Sequence, residues 1–144
     1  MRWRWQFFGL EIQELEMSSG VTGSAEQDRR LLAKALFKLF DEWELSERDQ
    51  ALLLGLDAHD LDVLTSMRAA GALASSMQLV ERGRSLLRIY RYLSMLYPEH
   101  PHLRRKWITS AHPRLNGQAP LQRMKEGGGA GIRFVTLLLE EHLF

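Results

Sequence analysis

The sequence contains no cysteine, and it has no apolar run long enough to form a membrane-spanning helix. Without cysteine, neither disulfide bonds nor thiolate metal sites can form. Every apolar stretch stays below the roughly 20 residues that cross a bilayer. The chain also has little excess charge, because it contains 19 Lys and Arg residues and 18 Asp and Glu residues, which gives a net charge of +1. Contact with nucleic acid or anionic lipid would therefore need a local basic patch.

The usual signatures of catalysis and of metal binding are missing as well. The glycine-rich run at 127–131 lacks the Lys-Ser/Thr ending of a phosphate-binding loop and follows no strand pattern. The sequence contains no Gly-x-Ser-x-Gly elbow and no cysteine nucleophile. His100, His102 and His112 lack an acidic or fourth histidine partner, so we expect polar loop residues rather than metal ligands. The sequence predicts a protein that is not an enzyme and that needs neither metal nor cofactor.

Apolar residues repeat at the spacing of an α-helix over most of the chain. An apolar content of 45% and a charged content of 26% are typical of a globular protein. The first helical stripe starts after Glu26, the next two helices are expected to be capped by Ser46 and Asp57, and a longer helix is expected at 80–96. We predict an all-α fold of about six or seven helices, in one compact unit or in two closely packed subdomains.

Residues 1–25 differ from this pattern, and two interpretations of them remain open. This start combines apolar and aromatic side chains with a flexible Ser/Gly-rich linker at 18–24. It is either poorly ordered, with Met17 the natural beginning of the chain, or an aromatic arm that docks on a partner or on the protein itself. The apolar stretch in MRWRWQFFGL is too short for a signal peptide and leads into glutamates, so we expect a cytoplasmic protein.

The segment 26–68 has the spacing of a helix-turn-helix. Ala51 is small where two helices would cross, Gly55 provides a turn, and apolar side chains follow at Leu56, Leu61 and Leu64. The second helix of such a motif reads DNA, and the contacts here would be Arg48, His59, Thr65 and Arg68. Three carboxylates on the same helix would repel phosphates. A scaffold without DNA contact and an operator-binding motif therefore both remain open.

The stretch LRRKWITSAHPRLNGQAPLQRMKEGGG, at 103–129, predicts a helix end, a turn and a second helix. Pro113 disfavours helix directly before it, and the pair Asn116-Gly117 tolerates positive φ. Pro120 suits the first turn of a helix, which the glycines from Gly127 onward should end. The last helix is apolar nearly all round. We therefore expect it to pack both on the core and against a second protein.

The landmarks of this stretch resemble those of the C-terminal toxin-binding domain of the Xre–MbcA–ParS antitoxin family. They are, in order, Trp107, Pro113, Gly117, Pro120, Leu121, Met124 and Gly127. The phrase WELSERDQALLLGL at 43–56 is similar to the reduced Xre-type helix-turn-helix of the same family, so the resemblance covers roughly the last two-thirds of the chain. It divides the chain into an arm at 1–25, a helix-turn-helix-like domain at 26–78 and a toxin-binding-like domain at 79–144.

The resemblance implies an antitoxin of a type II toxin–antitoxin system. Such a protein binds and sterically inhibits the toxin made by the adjacent gene, typically a RES-type enzyme that consumes NAD or transfers ADP-ribose. Family members usually form homodimers. The expected toxin-binding residues are Trp107, Arg114, Asn116, Gln118, Met124, Lys125, Arg133 and Phe134, with Trp107 also open to interpretation as a core residue. Two alternatives stay open, namely a DNA-binding transcriptional autorepressor and a non-enzymatic adaptor that uses its aromatic arm.

Overall fold

The computed structural model describes residues 25–57 and 59–144, and this part of the chain folds into α-helices without strands. The helices are α1 (Ala25–Glu42), α2 (Glu47–Leu53), α3 (Leu61–Ala70), α4 (Met77–Leu96), α5 (Pro101–Thr109) and α6 (Pro120–Leu143). A short 3-10 helix, Pro113–Leu115, precedes α6. The predicted all-α fold is confirmed. The arm predicted at 1–25 and the start at Met17 lie outside the described residues, apart from Ala25.

One hydrophobic core joins the helices of both predicted halves. α4 lies at its centre and packs against α1, α5 and α6, while α2 also contacts α6. The core residues that α1, α4 and α6 contribute include Leu32, Leu36, Phe40, Leu86, Ile89, Leu93, Met124, Ile132, Val135 and Leu139. Burial of each such side chain stabilises the fold by about 1.5–3 kcal/mol. The two halves therefore depend on each other for the burial of their apolar faces.

Serine side chains cap the N-termini of two of the helices. The Ser46 hydroxyl accepts a hydrogen bond from the Asp49 N–H at 3.1 Å, which confirms the predicted cap of α2. Ser76 caps α4 in the same way, so this helix starts at Met77 rather than at residue 80. The predicted cap at Asp57 is wrong. Its carbonyl accepts the Asp60 N–H in a turn, and α3 begins only at Leu61.

The glycine run bends α6 instead of separating two helices by a loop. Gly128 has φ 58° and ψ −139°, a conformation that divides α6 into segments at 120–127 and 129–143. Gly131 allows the close approach of the two segments, since a Cβ there would lie 2.3 Å from the Arg123 carbonyl oxygen. The predicted break is confirmed in position, and the second segment follows the first directly across a kink at Gly128.

A polar cluster lies among α1, α4 and α5. Arg104 donates from Nη2 to Glu42 Oε1 at 2.5 Å and from Nη1 to the Tyr97 carbonyl at 2.7 Å. Its guanidinium lies 5.4 Å from the ring centroid of Tyr90. Burial raises the pKa of the Tyr90 hydroxyl, and the nearby Glu42 carboxylate raises it further. Arg104 is therefore part of the interior of the fold.

Candidate functional site

The second segment of α6 has one face on the core and an apolar face that the described chain leaves open. Its inner side chains, among them Ile132, Val135 and Leu139, are buried. Phe134 and Leu137 lie one helical turn apart on the opposite face and are 40% and 56% exposed. The expectation that this helix packs on the core is confirmed. Its outer face presents two large apolar groups to solvent.

A shallow groove of about 410 Å³ follows this outer face. Gly129, Ala130, Arg133, Phe134 and Leu137 line it, and we call these residues the α6 face. The Arg123 guanidinium lies 5.2 Å from the ring centroid of Phe134, a cation–π contact from the first segment of α6. The α6 face is thus an apolar surface with a cationic border at Arg123 and Arg133.

The turn before α6 reaches the far end of the same face. Its Asn116 and Gly117 have φ values of 56° and 81°, which confirms the positive φ predicted there. Arg114 donates from Nη1 to Glu141 Oε2 at 2.5 Å, and this hydrogen bond raises the pKa of the guanidinium. Phe134, Leu137 and Glu141 share one side of the helix by their spacing. The ion pair therefore makes Arg114 continuous with the α6 face.

The remaining residues predicted to bind a toxin lie in different surroundings. Met124 is 0% exposed and belongs to the core, so its placement on a binding surface is wrong. Trp107 is half-buried against the core, with its ring 6.0 Å from that of His112. Lys125 donates to Asp49 of α2 at 3.2 Å, and Gln118 donates to Glu126 at 2.7 Å. Only the turn and the second segment of α6 retain exposed members of the predicted set.

Sequence reasoning missed two residues of this surface, Arg123 and Leu137. Leu137 had a usable signal, because it follows Phe134 at helical spacing on a helix with apolar residues on every side. Arg123 had none, since its contact with Phe134 depends on the bend at Gly128. The sequence therefore marked Phe134 and Arg133 but not Arg123, the other cation of the border.

The four residues expected to contact DNA are exposed, but two of them make hydrogen bonds within the fold. Arg68 lies 4.3 Å from the ring centroid of Phe37, donates to Gln50 Oε1 at 3.2 Å and approaches Asp41 to 3.6 Å. The Thr65 hydroxyl donates to the Leu61 carbonyl at 3.1 Å. Arg48 and His59 are exposed, as are the three aspartates of the same region, Asp57, Asp60 and Asp62. The surface that would face DNA is therefore mainly acidic.

Comparison with known proteins finds no matching family model and no matching curated protein. In the described part of the chain, no helix combines the length and the apolar character needed to cross a membrane. The same residues contain no group of three or more His, Asp or Glu side chains arranged to hold a metal ion. The features that point to a function are the exposed α6 face and the motif order in the sequence.

Proposed function

We propose that this chain is the antitoxin of a type II toxin–antitoxin system, a cytoplasmic and non-enzymatic protein that binds a cognate toxin. The observation that carries the proposal is the exposed pair Phe134 and Leu137 on a helix whose opposite face is already buried. A rimmed apolar patch of this kind often marks a protein-binding site. The sequence resemblance supplies the partner class, a RES-type enzyme from the adjacent gene that consumes NAD or transfers ADP-ribose.

The α6 face has the composition of a binding surface centred on an aromatic anchor. Phe134 and Leu137 would fill an apolar pocket of the toxin, where each buried group contributes about 1.5–3 kcal/mol. Arg133 and Arg123 at the border would pair with acidic groups and orient the complex. Arg114 and Asn116 would extend the contact at the other end. Inhibition would be steric, through occlusion of the toxin's active-site cleft.

The proposal also includes the division into domains at 26–78 and 79–144. It further includes a homodimer, which the resemblance implies. The α6 face cannot be covered by a second copy and by a toxin at the same time. The molecular mass of the chain alone in solution shows whether it forms a dimer, and variants of the α6 face show whether that dimer uses this surface. If substitutions on the face dissolve a dimer without changing toxin inhibition, the toxin binds elsewhere.

DNA binding is the weaker alternative for this fold. The exposed aspartates near α3 oppose phosphate contact, and Arg68 is held by Phe37, Gln50 and Asp41. The adaptor alternative depends on the aromatic arm, which lies outside the described residues. Neither alternative has a structural feature in its favour comparable with the α6 face.

Co-purification tests the proposal directly. The untagged chain is expressed with the tagged product of its neighbouring gene, and NAD consumption by that product is measured with and without the chain. We expect a stoichiometric complex in which the activity is lost. A neighbour that does not bind, or a complex that stays fully active, would rule out the antitoxin assignment.

A further inference from the structure

A second concave surface lies between α4 and the second segment of α6. The two elements run in the same direction, because a Cβ on Gly129 would lie 3.8 Å from Arg82 while the Phe144 ring packs against Tyr92 at 5.9 Å. The cleft between them has a volume of about 660 Å³, and residues 54–56 also line it. Its size falls in the range of roughly 300–1,000 Å³ that is typical of small-molecule sites.

Arginine side chains dominate the chemistry of this cleft. Arg82 and Arg88 of α4 and Arg133 of α6 line it, together with the carboxylates Glu81 and Glu140. Arg82 is fixed in place, because its Nη1 donates to the Leu53 carbonyl at 3.2 Å. In contrast, neither Arg88 nor Arg133 makes an ion pair or a side-chain hydrogen bond to another described residue. Two guanidinium groups on facing helices are therefore available to a ligand.

Two of the hydroxyl groups that line the cleft already donate within their own helices. Ser85 donates to the Glu81 carbonyl at 3.0 Å, and Thr136 donates to the Ile132 carbonyl at 2.8 Å. Guanidinium groups donate in a planar fork that matches phosphate oxygens, and a concave site concentrates their positive field. The two carboxylates repel anions, so an anionic ligand must gain more from direct hydrogen bonds to the guanidinium groups than it loses to that repulsion. A compact group with several negative charges fits best, because it can bridge both helices.

We propose that this cleft binds a pyrophosphate group, either free pyrophosphate or the diphosphate of a nucleotide, bridged between Arg88 and Arg133. Arg82 forms the cationic base of the site. The partly exposed apolar side chain of Leu56 beside it offers a surface for the remainder of a nucleotide. This site is independent of the proposed toxin partner, although Arg133 borders both surfaces.

Calorimetric titration of the full chain alone, at low salt, with pyrophosphate and with ADP tests this inference. We expect saturable binding with one site per chain. The double variant Arg88→Gln/Arg133→Gln should weaken it by about ten-fold or more, since charge-assisted hydrogen bonds are lost. Tighter binding of ADP would assign a nucleotide, and equal binding would assign pyrophosphate alone.

The control is Arg48→Gln/Lys106→Gln, which removes the same charge at exposed positions outside the cleft. This variant should bind both probes like the parent chain. Absence of saturable binding of either probe to the parent would overturn the site. An equal loss in the control and in the cleft variant would also overturn it, because net charge would then account for the binding. No toxin takes part, so the result does not depend on the antitoxin assignment.

Discussion

Arg104 and Glu42 form an ion pair that joins α5 to the end of α1. Arg104 Nη2 lies 2.5 Å from Glu42 Oε1, and the two side chains are only 8% and 16% exposed. The Tyr97 carbonyl accepts a second hydrogen bond from the same guanidinium at 2.7 Å. A pair of this kind contributes little net stability over apolar residues of the same size, but each partner is costly when it is left alone. The pair therefore links the two halves of the chain at one specific point.

Loss of one partner of this pair should be far more damaging than loss of both. Arg104→Met leaves the Glu42 carboxylate buried and unpaired, and we expect unfolding free energy to fall by about 3–5 kcal/mol. The double variant Arg104→Met/Glu42→Leu should recover most of that loss, as measured by urea unfolding. Arg105→Gln removes one side of the exposed Arg105–Glu44 pair and serves as the control, with an expected loss of about 0–1 kcal/mol. Equal losses in the single and double variants would contradict the account.

Stability should depend on Tyr90 at alkaline pH. Its folded pKa is raised above the ordinary value of 10.0, first by burial and then by Glu42. The contribution of Tyr90 to the free energy of unfolding is therefore complete below about pH 10. It declines as the pH rises further, because the hydroxyl of Tyr90 loses its proton in the unfolded chain before it does so in the folded chain. Urea unfolding across about pH 8–11 should show a shallower decline for Tyr90→Phe than for the parent chain. Parallel declines in the two proteins would show that Tyr90 does not couple to folding.

The bend in α6 should be sensitive to which glycine is replaced. Gly131→Ala places a methyl group 2.3 Å from the Arg123 carbonyl oxygen, and we expect a loss of about 1–3 kcal/mol from this backbone clash. Gly127→Ala is the matched control, because the nearest neighbour of a Cβ there is the flexible Arg123 side chain at 4.0 Å. Alanine at that helical position should stabilise by about 0.4–1 kcal/mol. The thermal unfolding midpoint should fall for Gly131→Ala and rise for Gly127→Ala. Equal shifts of the midpoint in the two variants would refute the close approach at Gly131.

The α6 face should be dispensable for folding but required for partner binding. Phe134→Gln/Leu137→Gln alters exposed side chains, so unfolding free energy should change by no more than about 0.5 kcal/mol per site. Affinity for the proposed toxin should fall by about 100-fold, as expected for the loss of two anchoring groups. Met77→Gln, at an exposed methionine outside the face, should bind normally. Undiminished binding of the double variant in a pull-down and in calorimetry would remove the α6 face from the interface.

The Arg114–Glu141 pair permits a test of whether Arg114 contacts the partner. Both side chains are largely exposed, so neither Arg114→Gln nor Glu141→Gln should change the unfolding midpoint measurably. If Arg114 contacts the toxin, Arg114→Gln should weaken the complex, whereas Glu141→Gln should leave it unchanged or strengthen it by releasing the guanidinium. Equal weakening in the two variants would instead indicate that the pair acts by holding the turn in place.

The features that the sequence alone determined are those that neighbouring residues control. Ser46 caps α2 because its hydroxyl lies within reach of an N–H three residues ahead, and the Asn116-Gly117 turn follows from the tolerance of positive φ at those residues. The break near Gly128 has the same local origin. The periodic apolar positions likewise determined the helices and most of the core, because helical spacing places them on one face whatever lies opposite.

The tertiary structure alone decided which polar and flexible side chains remain available. Arg104 becomes buried because Glu42 lies opposite it, 62 positions away in the chain, and Arg114 is held by Glu141 at a separation of 27. Met124 belongs to the core rather than to a surface, and its neighbour Lys125 joins the same segment of α6 to Asp49 of α2. The cleft between α4 and α6 likewise exists only after the two helices align. These features depend on pairings across long separations, which local spacing and propensity do not specify.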